Sequence, residues 1–337
     1  MAALSETAFG ELTTRVAAAG VTGLRPLPGG ASSLTFAGRQ GGATVVVKVA
    51  PPGIAPTLNR DVLRQARIIR ALGPTTVPVP DVRWEDPGHP PDVPPLFVMS
   101  FLDGTSHEPL FDVETGDEDP VVVAERLRDA ARVMAALHRV EPAAAGLGSE
   151  PVIALADEVA RWCRLLETID PAPVPGWQHV ADELRSALPE AWPAAVCHGD
   201  FRLGNLLATQ QRITAVIDWE IWSIGDPRVD LGWFLINSDP ATYRRDTAYV
   251  GRTPPPSELA DIYASALGRT VPALTWFQGL ACFKSAATWS LIVKHNRRRT
   301  APDGDVEAMA DAVPALLARA TEFATSVVPQ HFSQNSG

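Results

Sequence analysis

Val196-Cys197-His198-Gly199-Asp200-Phe201-Arg202-Leu203-Gly204-Asn205 is the stretch from which the rest of the chain can be read. An Asp and an Asn stand five positions apart, behind a His and a Gly. A loop of that length returns a carboxylate and an amide oxygen to one site the size of a phosphate group. The carboxylate can orient or deprotonate a hydroxyl; the amide oxygen can coordinate a hard cation, which prefers oxygen ligands. His198 reads as a hydrogen-bonding brace of the loop. Thirteen residues after Asn205 comes Asp218, in Val216-Ile217-Asp218-Trp219-Glu220. Ile213 to Ile217 reads as a strand. With a second strand across Ala208 to Arg212 it forms a hairpin that carries Asp218 back beside Asn205, a second oxygen ligand for the same cation.

Toward the N-terminus the chain is rich in strands. Residues 24–50 read as a strand, a turn at Pro28-Gly29-Gly30-Ala31-Ser32-Ser33, and two more strands, the last being Thr44-Val45-Val46-Val47-Lys48-Val49. Strand alternation places Lys48 on the face of Val46, opposite Val45, Val47 and Val49. Residues 57–72 read as a helix with Val62, Ala66 and Ile69 at helical spacing, ended by Gly73-Pro74. A proline-rich loop from Asp86 to Pro95 precedes the strand Leu96-Phe97-Val98-Met99. From residue 120 onward helices dominate, starting with Leu127, Ala130, Ala131, Met134 and Leu137 on one face; only 194–219 is again β-rich. A strand-rich front and a helix-rich back indicate an α+β fold in two lobes. The expected division is 1–102 for the front lobe, 103–330 for the back lobe, and a frayed tail over 331–337.

Composition excludes several classes. A net charge of −10 argues against a general nucleic-acid binder, which needs a basic surface. Cys163, Cys197 and Cys282 stand far apart with no C-x-x-C pair, and read as reduced core thiols. The first residues show neither the basic nor the apolar region of a signal peptide, and no apolar run approaches the roughly 18 residues of a membrane span. A cytoplasmic protein is expected. There is no Walker A motif, no G-x-S-x-G and no H-E-x-x-H, so P-loop ATPase, α/β-hydrolase and zincin readings lack support.

The spacing H-x-D-x-x-x-x-N is that of a kinase catalytic loop. With Ile217-Asp218-Trp219-Glu220 and Gly225-Asp226-Pro227-Arg228-Val229-Asp230-Leu231, it resembles the aminoglycoside phosphotransferase family. That broad family includes choline-kinase-like and acyl-CoA-dehydrogenase-associated kinases. The likeness extends to Val47-Lys48-Val49, the helix at 61–72, Val98 to Gly104 and Ala135-Ala136-Leu137-His138. It implies a bilobal, protein-kinase-like fold and ATP- and magnesium-dependent phosphorylation of a small-molecule hydroxyl. Asp200 would be the catalytic base, and Asn205 and Asp218 the magnesium ligands. Lys48 would contact the α- and β-phosphates, under a loop made of Gly29, Gly30, Ala31, Ser32 and Ser33. Met99, Ser100, Phe101 and Leu102 would be the hinge that meets adenine. Asp230 matches a family Asp that braces the catalytic loop.

The chain departs from the family on the front-lobe helix. Members often carry a Glu there to pair the strand lysine. Here the position is Gln65, with Asp61 one turn earlier on the same face. Either could meet Lys48. The missing Glu is the one feature in favour of a catalytically silent nucleotide-binding pseudokinase; intact Asp200, Asn205 and Asp218 argue against it. The acceptor is less defined. Ala281 to Thr300 holds Lys284, Lys294, Arg297, Arg298 and Arg299 with no acidic residue, which suits an anionic hydroxy acid or hydroxyacyl-CoA better than a polycationic aminoglycoside. The competing reading is that the arginines end a helix and face water. Oligomeric state is left open.

Overall fold

The computed structural model describes residues 4–27, 33–110, 118–170, 174–243 and 247–326. The order of elements begins α1 (Glu6–Ala17), β1 (Val21–Pro26), β2 (Leu34–Gln40), β3 (Ala43–Val49), α2 (Val62–Leu72), β4 (Val82–Asp86) and β5 (Leu96–Ser100). There follow α3 (Pro120–His138), β6 (Val152–Ile153), α4 (Leu155–Leu166), α5 (Trp177–Ser186), β7 (Ala195–Cys197), β8 (Leu206–Thr209), β9 (Arg212–Val216) and β10 (Ser223–Gly225). The remaining described elements include the helices α6 (Arg228–Ser238), α7 (Pro240–Tyr243), α8 (Pro256–Leu267), α9 (Leu274–Arg297), α10 (Gly304–Ala308) and α11 (Val313–Thr325).

These elements form two compact units. One comprises Met1–His107, Val140–Glu150 and His198–Trp222; the other comprises Glu108–Arg139, Pro151–Cys197 and Ser223–Gly337. The division is not the linear one expected at residue 102, because the segment bearing Asp200, Asn205 and Asp218 goes with the front strands. Backbone bonds explain this. Thr105 and Ala208 exchange N–H···O bonds of 3.0 and 2.9 Å, and the Val216 N–H donates to Pro78 O at 2.8 Å. The expected tail at 331–337 lies outside the described residues.

In the first unit β1-β2-β3-β5-β4 form one antiparallel sheet. Its register sets Lys48 between Thr35 on β2 and Phe97 on β5. Val45, Val47 and Val49 are buried with Phe36, Leu96 and Val98 against Leu12 and Val16 of α1. Lys48, half a period out of step, emerges on the opposite face, as alternation requires. Helix α1 is absent from the expectations above. It is capped by Ser5, whose hydroxyl accepts from the Ala8 N–H. Helix α2 starts later than expected, at Val62, because Asp61 caps it by accepting the Arg64 N–H at 3.0 Å.

In the second unit a three-stranded sheet, β6-β10-β7, accompanies the helices. Their shared core joins α4, α5, α6, α9 and α11 through Trp162, Trp177, Trp233, Trp276 and Phe283. Gly232 lets α6 and α9 touch: a Cβ there would lie 2.4 Å from Phe277 O. All three cysteines are buried and free, in line with core thiols. Among the described residues no helix is long and apolar enough to cross a membrane.

Candidate active site

The segment from His198 to Asp218 is shaped by bonds over short stretches of sequence. Gly199 has φ +85, and a Cβ at that position would sit 2.6 Å from Ile221 O, so only glycine lets the loop pass there. His198 is fully buried. Its Nε2 lies 2.9 Å from Ile217 O and its Nδ1 3.1 Å from the Asp200 N–H. Nδ1 must accept from that amide, so Nε2 carries the hydrogen and donates to the carbonyl: a neutral ring bracing two strands of chain. Phe201 and Trp219 enclose it, with ring centroids 6.0 and 4.6 Å away.

Asp200 follows directly. Its Oδ2 accepts from Asn205 Nδ2 at 2.7 Å, and its Oδ1 accepts from Arg202 Nε at 3.2 Å. A 3-10 turn, Leu203–Asn205, folds Asn205 back onto the loop. Because the amide nitrogen of Asn205 is spent on Asp200, its amide oxygen is the group left for a cation. The Ile217 N–H donates to Asn205 O at 3.0 Å, which brings Asp218 alongside. Asp218 adopts φ 64, ψ 55, a left-handed conformation that costs an L residue roughly 1–2 kcal/mol, least for Asp and Asn. Trp219 secures the turn by donating from Nε1 to Val216 O at 3.0 Å.

Lys48 reaches this loop from β3. Its Nζ lies 3.2 Å from Asp218 Oδ1 and 3.0 Å from Gln65 Oε1. Gln65 is buried on α2, whereas Asp61 is committed to capping that helix. The helix partner of Lys48 is therefore Gln65, a neutral amide. The residues expected to form a hinge lie at the end of β5 and just after it. Met99 and Ser100 are buried in β5, Leu102 is half-buried and Phe101 is exposed. Ser100 bonds Asp81 twice, through its N–H to Asp81 O and through its hydroxyl from the Asp81 N–H, both at 2.9 Å. Thr214 of the β8–β9 hairpin donates to Asp103 O at 3.0 Å, tying the chain just after β5 to the hairpin.

Gly29, Gly30 and Ser32 lie outside the described residues, as does Ala31. Ser33 is fully buried, and its hydroxyl has no hydrogen-bond partner among the described residues. Asp230 is fully buried on α6, 3.4 Å from His138 Nε2; His138 Nδ1 in turn lies 2.7 Å from the Tyr263 hydroxyl. Burial, followed by the nearby Cys197 and Asp230, pushes the Tyr263 phenol well above its ordinary range.

Sequence reasoning passed over Arg202, although it stands inside the quoted stretch and touches Asp200. It also missed Arg64, Glu150 and Trp222. Arg64 Nη1 donates to Trp222 O at 2.9 Å, 158 positions away in sequence, and Arg64 Nη2 meets Glu150 at 2.8 Å. No local pattern announces such pairs. In the basic run, Arg297 pairs with Glu307, and Lys294 donates to the Thr168 carbonyl. Arg298 and Arg299 are exposed. Lys284 alone is buried, its Nζ 3.7 Å from the centre of the Trp233 ring and 5.7 Å from that of Trp162. The expected basic wall is thus reduced to one residue.

Comparison with known proteins follows the same lines. Residues 23–277 match the sequence profile of the phosphotransferase enzyme family. A mouse protein, acyl-CoA dehydrogenase family member 10, is 24% identical over 88% of this chain and 28% of its own length. The chicken acyl-CoA dehydrogenase family member 11 is 28% identical over 80% of this chain and 36% of its own length. The chain thus spans about a third of these relatives. Among solved structures, a Ralstonia eutropha protein named for the aminoglycoside phosphotransferases superposes with TM-score 0.77 at 22% identity, covering 96% of this chain and 98% of that one. A thermostable aminoglycoside phosphotransferase APH(4)-Ia, in ternary complex with ADP and hygromycin B, gives 0.60 at 17% identity over 94% of this chain and 98% of that one. Macrolide 2'-phosphotransferase MphH of Brachybacterium faecium gives 0.58 at 23% identity over 90% and 97%. The α+β kinase-like fold is common to all three.

Proposed function

Because the chain belongs to the phosphotransferase enzyme family, we propose that it transfers the γ-phosphate of ATP, with magnesium, to a hydroxyl of a small molecule. The observation that carries this reading is the convergence of Asp200, Asn205, Asp218 and Lys48 within one compact unit, linked by contacts of 2.7 to 3.2 Å. Asp200 binds the acceptor hydroxyl and takes up its proton as the phosphorus–oxygen bond forms. Asn205 holds the Asp200 carboxylate in place through its amide nitrogen. The amide oxygen of Asn205 and the carboxylate of Asp218 are hard donors that suit magnesium, which when bound would offset charge on the phosphate oxygens. Lys48 moves its charge from Asp218 to the phosphates. The orphaned Ser33 hydroxyl, at the edge of the proposed phosphate loop, fits the same ligand. Met99 to Leu102 would meet the adenine. Most of the rate would come from positioning and fixed charge rather than covalent chemistry.

Gln65 is the observation that favours a silent pseudokinase. The two readings separate in one assay: slow ADP release from ATP without acceptor, measured with magnesium and with EDTA. Magnesium-dependent turnover supports the enzyme; tight nucleotide binding with no turnover supports the pseudokinase.

For the acceptor we propose an anionic hydroxy compound, a hydroxy acid or a hydroxyacyl-CoA. Arg202 supports this, because its guanidinium stands 3.2 Å from the base that receives the hydroxyl. The curated relatives are also named for acyl-CoA dehydrogenation. Parallel kinase assays with hydroxy acids, hydroxyacyl-CoA and kanamycin-type aminoglycosides decide it; phosphorylation of the aminoglycosides alone overturns the anionic acceptor.

A further inference from the structure

Lys48 is met on α2 by an amide where a carboxylate is the stronger partner, since only a carboxylate adds the attraction of opposite charges to the hydrogen bond. Gln65 itself is weakly anchored: its Nε2 reaches Asn59 O only at 3.4 Å. Something else must set the rotation of the first turns of α2. Val62, Ile69 and Leu72 pack the helix, but apolar packing is non-directional.

The directional contacts lie one residue before Gln65. The Arg64 guanidinium sits 4.0 Å from the centre of the Trp222 ring. Its Nη1 donates to Trp222 O at 2.9 Å and its Nη2 to Glu150 at 2.8 Å. Trp222 returns a bond from Nε1 to Arg64 O at 3.2 Å. Arg67, one turn on, also pairs with Glu150 and lies 5.8 Å from the Trp222 ring centre. Trp222 is almost wholly buried, and Glu150 has side-chain exposure of 12%. Burial lowers the Arg64 pKa from its ordinary value, partly offset by Asp61, so the cation is held in a costly place. Trp222 is four positions from Asp218, and Arg64 is adjacent to Gln65.

We propose that Arg64, Trp222 and Glu150 form a clamp that positions helix α2 against the Asp218 loop, doing for Lys48 what a Lys–Glu ion pair would do. These are positioning residues, acting on Lys48 through Gln65. The inference rests on the nucleotide-binding reading above, in that Lys48 is placed to serve the phosphates. It makes a specific demand: if the clamp replaces a charge, restoring the charge should make the clamp dispensable.

The test uses R64K, which keeps the charge but loses the planar fork, with E150Q as a second mild variant and W222L as the severe one. Each is made alone and with Q65E. Two readouts are taken on the full chain. Amide hydrogen exchange over 62–69 reports whether α2 is held, with no nucleotide involved. Calorimetric titration with MgADP reports whether Lys48 is placed. The expected result is faster exchange in R64K and E150Q, an affinity for MgADP lower by about tenfold, and recovery of both in the Q65E double variants. Unchanged exchange and affinity in all three single variants overturn the clamp. So does a loss that Q65E fails to recover, because that marks general destabilisation. A wild-type chain that binds no MgADP defeats the functional reading instead; hydrogen exchange still decides whether the clamp holds the helix.

Discussion

His198–Trp222 and Ala281–Thr300 are both conspicuous in the sequence, one for spacing and the other for charge, and the fold treats them in opposite ways. In the first, the bonds that give the His198–Asn205 loop its own shape join residues close along the chain. His198 reaches Ile217, Asn205 reaches Asp200, and Ile217 reaches Asn205. Spacing then fixes geometry, because a loop of five steps and a two-stranded hairpin leave few ways to close. The second runs along the C-terminal part of α9 and past its end at Arg297. Lys284, Lys294, Arg297 and Arg298 meet different surroundings: the Trp233 ring, the Thr168 carbonyl, Glu307 and solvent. A cluster of charge in sequence is not a patch in space when its members are engaged by separate partners or turned to water.

Substitutions should separate the two regions sharply. The largest effect is expected from Asp200→Asn, which keeps the shape of the loop but removes the base. Turnover should fall about 10²–10⁴-fold with melting temperature nearly unchanged; full activity at saturating ATP with a true acceptor ends the assignment. Asp218→Ala should come next. The tightening of ATP binding by magnesium should vanish in calorimetry, while binding of metal-free ATP persists. A magnesium effect that survives would show that the cation is held elsewhere.

The basic run allows a comparison of its own. Lys284→Met should shift the melting temperature, since the buried contact of its ammonium with the Trp233 ring is lost. Arg298→Ser with Arg299→Ser should leave it unchanged, because both side chains are exposed. Equal effects from the two variants would mean that burial does not set them apart. The smallest effect concerns the thiols. Burial, opposed by Arg319 and aided by Asp239 and Glu322, pushes Cys282 up to about 12. Burial likewise raises Cys163 and Cys197. The thiolate is the reactive form, so at pH 8 all three should stay protonated and resist a colorimetric thiol reagent in the native protein. In denaturant all three should react. Rapid native labelling of Cys282 would mean that the α9–α11 core opens readily.

The lobe boundary shows where a linear reading fails. A cut at residue 102 follows the end of β5, yet 198–222 belongs with the front sheet, because Thr105 pairs with Ala208 and Val216 with Pro78. Both pairings cross more than a hundred positions and leave no period or turn signal. Helix α1 was missed for a gentler reason. Its apolar face holds few large residues, with Leu12 and Val16 alone fully buried, so its helical period is faint.

What the sequence by itself determined is the local chemistry: Asp200 with Asn205, the return of Asp218, and Lys48 on the face opposite Val47. Each follows from a spacing shorter than one hairpin or from the two-residue period of a strand. Tertiary structure alone decided which α2 residue meets Lys48. Gln65 and Asp61 share a face one turn apart, and periodicity cannot choose between them. The choice came from Asp61 being spent on the Arg64 N–H as a cap, and from Trp222 and Glu150, distant in sequence, closing on Arg64. Bonds between distant residues are set by how whole elements pack, and that packing is a property of the complete fold rather than of any window within it.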